Sequence, residues 1–292
     1  ESLNKEEGFL PAITEMAAIQ YRKMQYDSAY FYAKKALSID TYDPAANYYY
    51  GLSAAKIGKW YDALDGFEIA SLNSAYNSAA YTELSKLYLK NKNYQKASEY
   101  ASKCLLNNVH NIEGLQLNLL INRLLNKDIK SIKMQLLELD PLNHMVRFEN
   151  YYTRHDETSE KEFTQLIRSE MPEETYLHLA AWYYRLGRLE ESKEILNLSP
   201  ENSEILFWRS YLENSDVKRN ILLTAANKSS AYLVFPYLDE SAEVMEWAIK
   251  QGTDWKPFYY LAIIYLFKGN MQKGKEMLDS VKKVKVRLAG PS

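Results

Sequence analysis

Asp43–Ala70 reads DPAANYYYGLSAAKIGKWYDALDGFEIA, a run in which alanine, glycine and serine rotate with tyrosine, tryptophan and phenylalanine. Such mixing suits either an aromatic binding surface or a pair of helices that must approach closely. The period of the pattern separates the two. Ala63, in YDALDGF, has counterparts 34 residues away on both sides, Ala29 in YDSAYFYA and Ala97 in YQKASEYA. Three residues before each stands an aromatic ring: Tyr26, Trp60 and Tyr94. Seven after each stands a small residue (Ala36, Ala70, Cys104), and twelve before each stands another (Ala17, Gly51, Ser85). Four columns at one period mark a structural repeat. Small residues at helix crossings let backbones approach while rings fill the remaining volume, so the run reads as a packing code.

These columns resemble the tetratricopeptide repeat, a pair of antiparallel helices with small residues at fixed positions. The resemblance covers Leu10–Asp43, Pro44–Asn77 and Ser78–Asn111. Further along the pattern loosens. IEGLQLNLLINRLLNKDIKSIKMQLLELDPLN keeps two amphipathic helices, but Ser131 replaces the expected alanine and the spacing contracts. The columns return at Leu179, Ala180, Tyr183 and Ser192, and again at Leu261, Ala262, Tyr265 and Gly274. YLVFPYLDESAEVMEWAIKQG between them reads as an irregular helical pair, with Pro236 breaking its first helix and Asp239 or Ser241 capping the next. The expected fold is therefore all-α, an α–α superhelix of about nine helical hairpins. The expected organisation is a single continuous array over residues 1–292, regular over 1–111, irregular over 112–172 and degenerate over 173–292.

Composition agrees. The chain has 292 residues, 8 prolines and 10 glycines, which favours helix over strand. A net charge of −2 argues against a general nucleic-acid binder. The single cysteine excludes an internal disulfide framework and leaves compartment and localisation open. No run of about 18 apolar residues is present to span a bilayer. Glu1–Pro11 carries neither an initiator methionine nor a signal-peptide pattern, so the chain reads as a processed product or an excised part of something longer.

A narrower resemblance rests on six strings in order: YDPAANYYYGLSAAKIGKWYDALDGFEIA, NSAAYTELSKLY, LDPLNHMVRFE, PEETYLHLAAWYYRLGR, VFPYLDESAEVMEWA and WKPFYYLAIIY. Together they resemble the C-terminal repeat half of large bacterial proteins associated with glycan use, whose N-terminal domain is β-rich. The resemblance implies that this chain is the repeat tail without that domain, and it brings no catalytic residue with it.

Nothing in the residues reads as an active site. His110, His144, His155 and His178 are the only histidines, and no pair has the helical spacing of a zinc site. His155-Asp156-Glu157 reads as a solvated loop rather than a metal ligand set. No glycine-rich phosphate loop or nucleophile elbow occurs. Glu190 and Glu191 read as a solvated carboxylate pair, and Cys104 as a small buried residue. The expectation is a non-enzyme with no cofactor and no metal. Asn143, His144 and Arg147 form the least usual polar string. The structural reading, Asp-Pro starting a helix with Arg147 and Glu149 in internal hydrogen bonds, is favoured over a docking site.

In tetratricopeptide arrays the first helix of each unit lines the concave groove. Transferring those positions gives Thr14, Tyr21 and Arg22; Tyr48, Leu52 and Lys56; Thr82, Lys86 and Lys90; and Leu177, Tyr184 and Arg185. The candidate partner-binding set is Tyr21, Arg22, Tyr48, Lys56, Lys86, Lys90, Tyr184 and Arg185, basic and aromatic. It suits a protein or peptide partner, either an acidic segment or the adjoining β-rich domain. Thr14 and Ala18 stand where the chaperone-binding subclass needs Lys and Asn, which argues against chaperone tails. The leading function is a protein-interaction scaffold. The alternative is a carbohydrate-binding or accessory module of a glycan-active enzyme.

Overall fold

A computed structural model describes residues 9–252 and 254–289. The described residues contain 17 helices and no strand, and the chain falls into two compact units that divide between Val146 and Arg147. The first unit holds four hairpins: α1 (Leu10–Arg22) with α2 (Tyr26–Leu37), α3 (Pro44–Lys56) with α4 (Trp60–Ala70), α5 (Asn77–Lys90) with α6 (Tyr94–Asn107), and α7 (Ile112–Leu124) with α8 (Lys130–Leu139). Helix α9 (His144–Arg154) begins just before the division. In the second unit it pairs with α10 (Glu157–Thr164), followed by α11 (Pro172–Arg185) with α12 (Leu189–Leu198) and α13 (Ser203–Leu212) with α14 (Asp216–Lys228). A lone helix α15 (Asp239–Lys250) precedes the last hairpin, α16 (Lys256–Phe267) with α17 (Met271–Ala289).

The repeat columns are the crossings. Ala17, Ala29, Ala36, Ala63, Ala70, Ala97, Ser85 and Cys104 are all 0% exposed, so no side chain in the small-residue columns is available to a ligand. Ser85 tolerates this burial because its hydroxyl donates to the Ala97 carbonyl of the facing helix at 2.9 Å. Rings close the remaining volume: Trp60 meets Tyr88 edge-on at 5.8 Å, and Tyr88 stacks on Tyr100 at 5.5 Å. Helix starts are capped where the sequence supplies short polar residues. Asp43 accepts from Ala46 N at 2.7 Å ahead of Pro44, and Asn111 accepts from Gly114 N at 2.8 Å.

The turns inside the hairpins repeat too. Met24, Gly58, Lys92 and Asn126 each adopt a left-handed backbone, with φ of 57°, 77°, 60° and 54°, and they step by 34 residues. The period thus reaches into the fourth hairpin, and the contraction comes after it. Only Gly58 suits this conformation without strain; a side chain there costs about 1–2 kcal/mol. Lys92→Gly is therefore expected to raise stability by about 0.5–1 kcal/mol, after the extra freedom of the unfolded glycine is deducted. A urea midpoint that falls instead would show that the lysine side chain holds the turn.

In the second unit Ala180, Ser192 and Ala262 are again 0% exposed, and Tyr183 and Leu261 are buried beside them. Three expectations are corrected here. First, the residues before α15 form no helix: 230–238 run as an irregular strap, with Pro236 buried in it. Neither Asp239 nor Ser241 caps α15, since Leu238 holds the cap position without a side-chain bond and Ser241 bonds elsewhere. Second, Asp140-Pro141 lies in the turn before α9 and does not start the helix. Asn143 does the capping, accepting from Val146 N at 3.2 Å while donating to Asp140 at 3.1 Å. Third, Glu191 is buried, not solvated, and accepts from Arg188 at 2.7 and 2.9 Å.

Candidate functional site

The first-helix residues of the first unit differ in how open they are. Tyr21 packs against Tyr26 and Tyr49, with centroids 5.4 and 6.5 Å apart. Arg22, Lys56 and Lys90 occupy the last turns of α1, α3 and α5 and step by 34 residues. Arg22 pairs with Glu15 at 2.8 Å in open solvent, an arrangement of little net energy. The Lys56 ammonium lies 5.5 Å from the Tyr26 ring centroid, and Lys90 is exposed. Lys86 is different. It sits 2.8 Å from both Glu83 and Glu113. Burial works against its charge, but the two carboxylates outweigh that and hold its pKa above the ordinary value.

Tyr48 belongs to the core margin. Its ring meets Phe67 at 5.8 Å, Tyr76 at 5.5 Å and Tyr49 at 5.9 Å, and burial followed by the charge of Glu83 raises its pKa. Thr14 and Thr82 are buried rather than open to a groove; Thr82 donates to the Ser78 carbonyl and contacts Cys104 Sγ at 3.2 Å. In the second unit Leu177 is likewise buried. Tyr184 joins three helices, donating to Glu243 at 2.9 Å and meeting the Tyr211 hydroxyl at 2.9 Å. Arg185 stands 3.7 Å from the buried Glu240. Much of the candidate set is therefore engaged internally. Charge pairing across helices could not be read from sequence spacing.

Sequence reading missed a cleft in the second unit. It is lined by Glu173, Glu174, Leu177 and His178 of α11, by Asn202 and Glu204 at the start of α13, and by Leu233, Val234, Phe235, Tyr237 and Leu238 of the strap. Its volume is about 20 Å³, room for a group the size of a water molecule. Behind it runs a buried chain of hydrogen bonds: Trp208 Nε1 donates to Ser241 Oγ at 3.0 Å, and Ser241 Oγ donates to Glu204 Oε1 at 2.6 Å. Burial pushes the Glu204 carboxyl up to about 7; the Ser241 bond opposes this and the Glu174 charge adds to it. His178 shares a hydrogen bond with Tyr237 at the mouth, and desolvation lowers its pKa.

The other chemistry-bearing residues are structural. Asp156 caps α10, accepting from Ser159 N at 2.8 Å, and pairs with Arg154 at 2.7 Å. Glu149 is fully buried and accepts from Tyr183 at 2.6 Å. Among the described residues no group of three His, Cys, Asp or Glu side chains could hold a metal ion, and no helix is long and apolar enough to cross a membrane.

No protein-family model matches this chain, and no curated protein matches it. Solved structures do. A tetratricopeptide repeat protein from Parabacteroides merdae is 17% identical, with a TM-score of 0.51 over 82% of this chain and 98% of that one. A tetratricopeptide repeat protein from Thermus thermophilus is 16% identical, with a TM-score of 0.42 over 74% of this chain and 98% of that one. The fold is that of a tetratricopeptide-type helical repeat protein.

Proposed function

We propose that the chain is a non-catalytic scaffold that binds a protein or peptide partner across its first-helix surface, as part of a larger bacterial protein. The observation that carries this reading is the row formed by Arg22, Lys56 and Lys90, which places a cation at the same point of three successive hairpins. Cations in a last helical turn also complement the helix dipole, worth about 0.3–1 kcal/mol each, so the row has a structural role as well. As a ridge it suits an acidic segment of a partner or of an adjoining β-rich domain. The sugar-binding alternative has less support, because Tyr48 and Tyr184 are held against neighbouring helices and are poorly placed as stacking platforms.

Lys86 should be left untouched in the test. Reversing it would set three carboxylates together and unfold the site for reasons unrelated to binding. The double reversal Lys56→Glu/Lys90→Glu avoids this. It should weaken a fluorescein-labelled glutamate-rich peptide by about tenfold or more at low salt, with the loss shrinking as the Debye length falls to about 8 Å at physiological ionic strength. Anisotropy titrations that show equal affinity for parent and variant at low salt would exclude the ridge as the binding surface.

A further inference from the structure

We infer that the cleft between α11, the start of α13 and the strap receives one primary ammonium, presented by a lysine side chain of a partner peptide, with Glu204 as its buried counter-charge. Glu204 is 6% exposed, yet it lines the cleft. Its Oε1 is taken by Ser241, while Oε2 accepts no hydrogen bond from a described residue. That oxygen is not sealed from solvent, so a donor arriving through the mouth can reach it and bond to it. The rim chooses the sign of that donor. Glu173 and Glu174 stand there without an ion-pair partner among the described residues, and no lysine or arginine lines the cleft.

Size and shape narrow the ligand further. About 20 Å³ admits a single compact head group, far below the few hundred Å³ of a sugar or cofactor site. An ammonium is a compact point charge, whereas a planar guanidinium needs several acceptors in a fork. Leu177 and the half-exposed Phe235 offer apolar surface along which an alkyl stem can lie while its charged end reaches Glu204. The absence of a helix before α15 makes this possible. A strap over α11 and α13 leaves a gap at Glu204 that a regular first helix would fill with its own side chains.

Several ionisable groups face Glu204 or line its cleft: Glu173, Glu174 and His178 on α11, Tyr237 on the strap and Tyr260 on α16, while Arg185 on α11 and Glu240 on α15 act on His178. Arg185 is held near Glu240, and the pKa values of Tyr237 and Tyr260 are both raised, Tyr260 to about 12, so neither tyrosine ionises near neutrality. Between pH 6 and 8 the titration of Glu204 dominates. Protonating His178 at the acid end would repel a cation, which acts in the same direction.

The test uses Nα-acetyl-lysine amide as probe and the Trp208 indole ¹H–¹⁵N resonance as reporter, since that N–H feeds the chain ending on Glu204. Saturable movement of this resonance is expected, about tenfold tighter at pH 8 than at pH 6 as Glu204 ionises around its pKa of about 7. Nα-acetyl-norleucine amide, which keeps the stem and lacks the charge, should leave the resonance in place. Glu204→Gln should abolish the response while its melting temperature shows that the chain remains folded. Equal response to both probes, no response to either, or full response in folded Glu204→Gln would each overturn the proposal. The reading of the chain as a protein scaffold can fail separately, because its test reports on Lys56 and Lys90 in the other unit.

Discussion

Gly66→Ala should destabilise the protein by about 2–3 kcal/mol, against the sign that helix propensity predicts. Gly66 lies in the middle of α4, where alanine would ordinarily gain about 1 kcal/mol. A methyl group there would sit 2.7 Å from the Asn47 carbonyl oxygen and 2.8 Å from the Gly51 nitrogen. In α-helical geometry those two atoms are the acceptor and donor of one backbone hydrogen bond of α3. The obstacle is therefore backbone, and neither helix can yield without opening the crossing. Ala63→Leu, one turn earlier and 0% exposed, overfills the same contact and should cost a similar amount. Urea unfolding checks both. A Gly66→Ala variant as stable as the parent, or more stable, would mean that α3 and α4 do not approach this closely.

Glu204→Gln should have the opposite effect, stabilising the chain at pH 8 by up to about 3 kcal/mol. The Glu204 carboxyl rises from an ordinary 4.5 to about 7 on folding, chiefly through burial. Below pH 4.5 both states hold the proton and the shift has no effect. Between 4.5 and 7 the folded state keeps a proton that the unfolded chain releases, so stability falls as pH rises, and above 7 the full loss is present. Glutamine keeps an oxygen for Ser241 to donate to and carries no charge, so the variant should lack this slope. His178 contributes a slope of the opposite sign, because its pKa falls on folding, but it is common to parent and variant and cancels. Melting temperatures from pH 4 to 9 provide the comparison. Parallel curves would show that Glu204 is not strongly desolvated. A carboxylate that weakens the fold at neutral pH is consistent with a side chain kept for binding.

Repeat architecture was legible because its determinants are local. Side-chain size at a crossing is set position by position, so Ala29, Ala63 and Ala97 announced the hairpins before any coordinates did. The same columns marked Cys104 as packing. The strap was not legible. Residues 232–238 are as apolar as a buried helix, and Pro236 alone indicates a break without showing that no helix precedes it. Glu191 was misread as solvated because nothing in Glu190-Glu191 tells which carboxylate turns inward to meet Arg188.

By itself, then, the sequence determined the all-α class, the hairpin unit and its 34-residue step over the first hairpins. Tertiary structure alone decided which of the first-helix side chains remain open to a partner. Lys86 is claimed by Glu113 of the next hairpin and Tyr184 by Glu243, 59 residues away. The Glu204 cleft depends on α11, α13, the strap and Ser241 together, brought from positions tens of residues apart. Packing columns depend on volume, which each residue carries with it. Charge pairing and desolvation depend on distance to groups elsewhere in the chain, and only folding sets those distances.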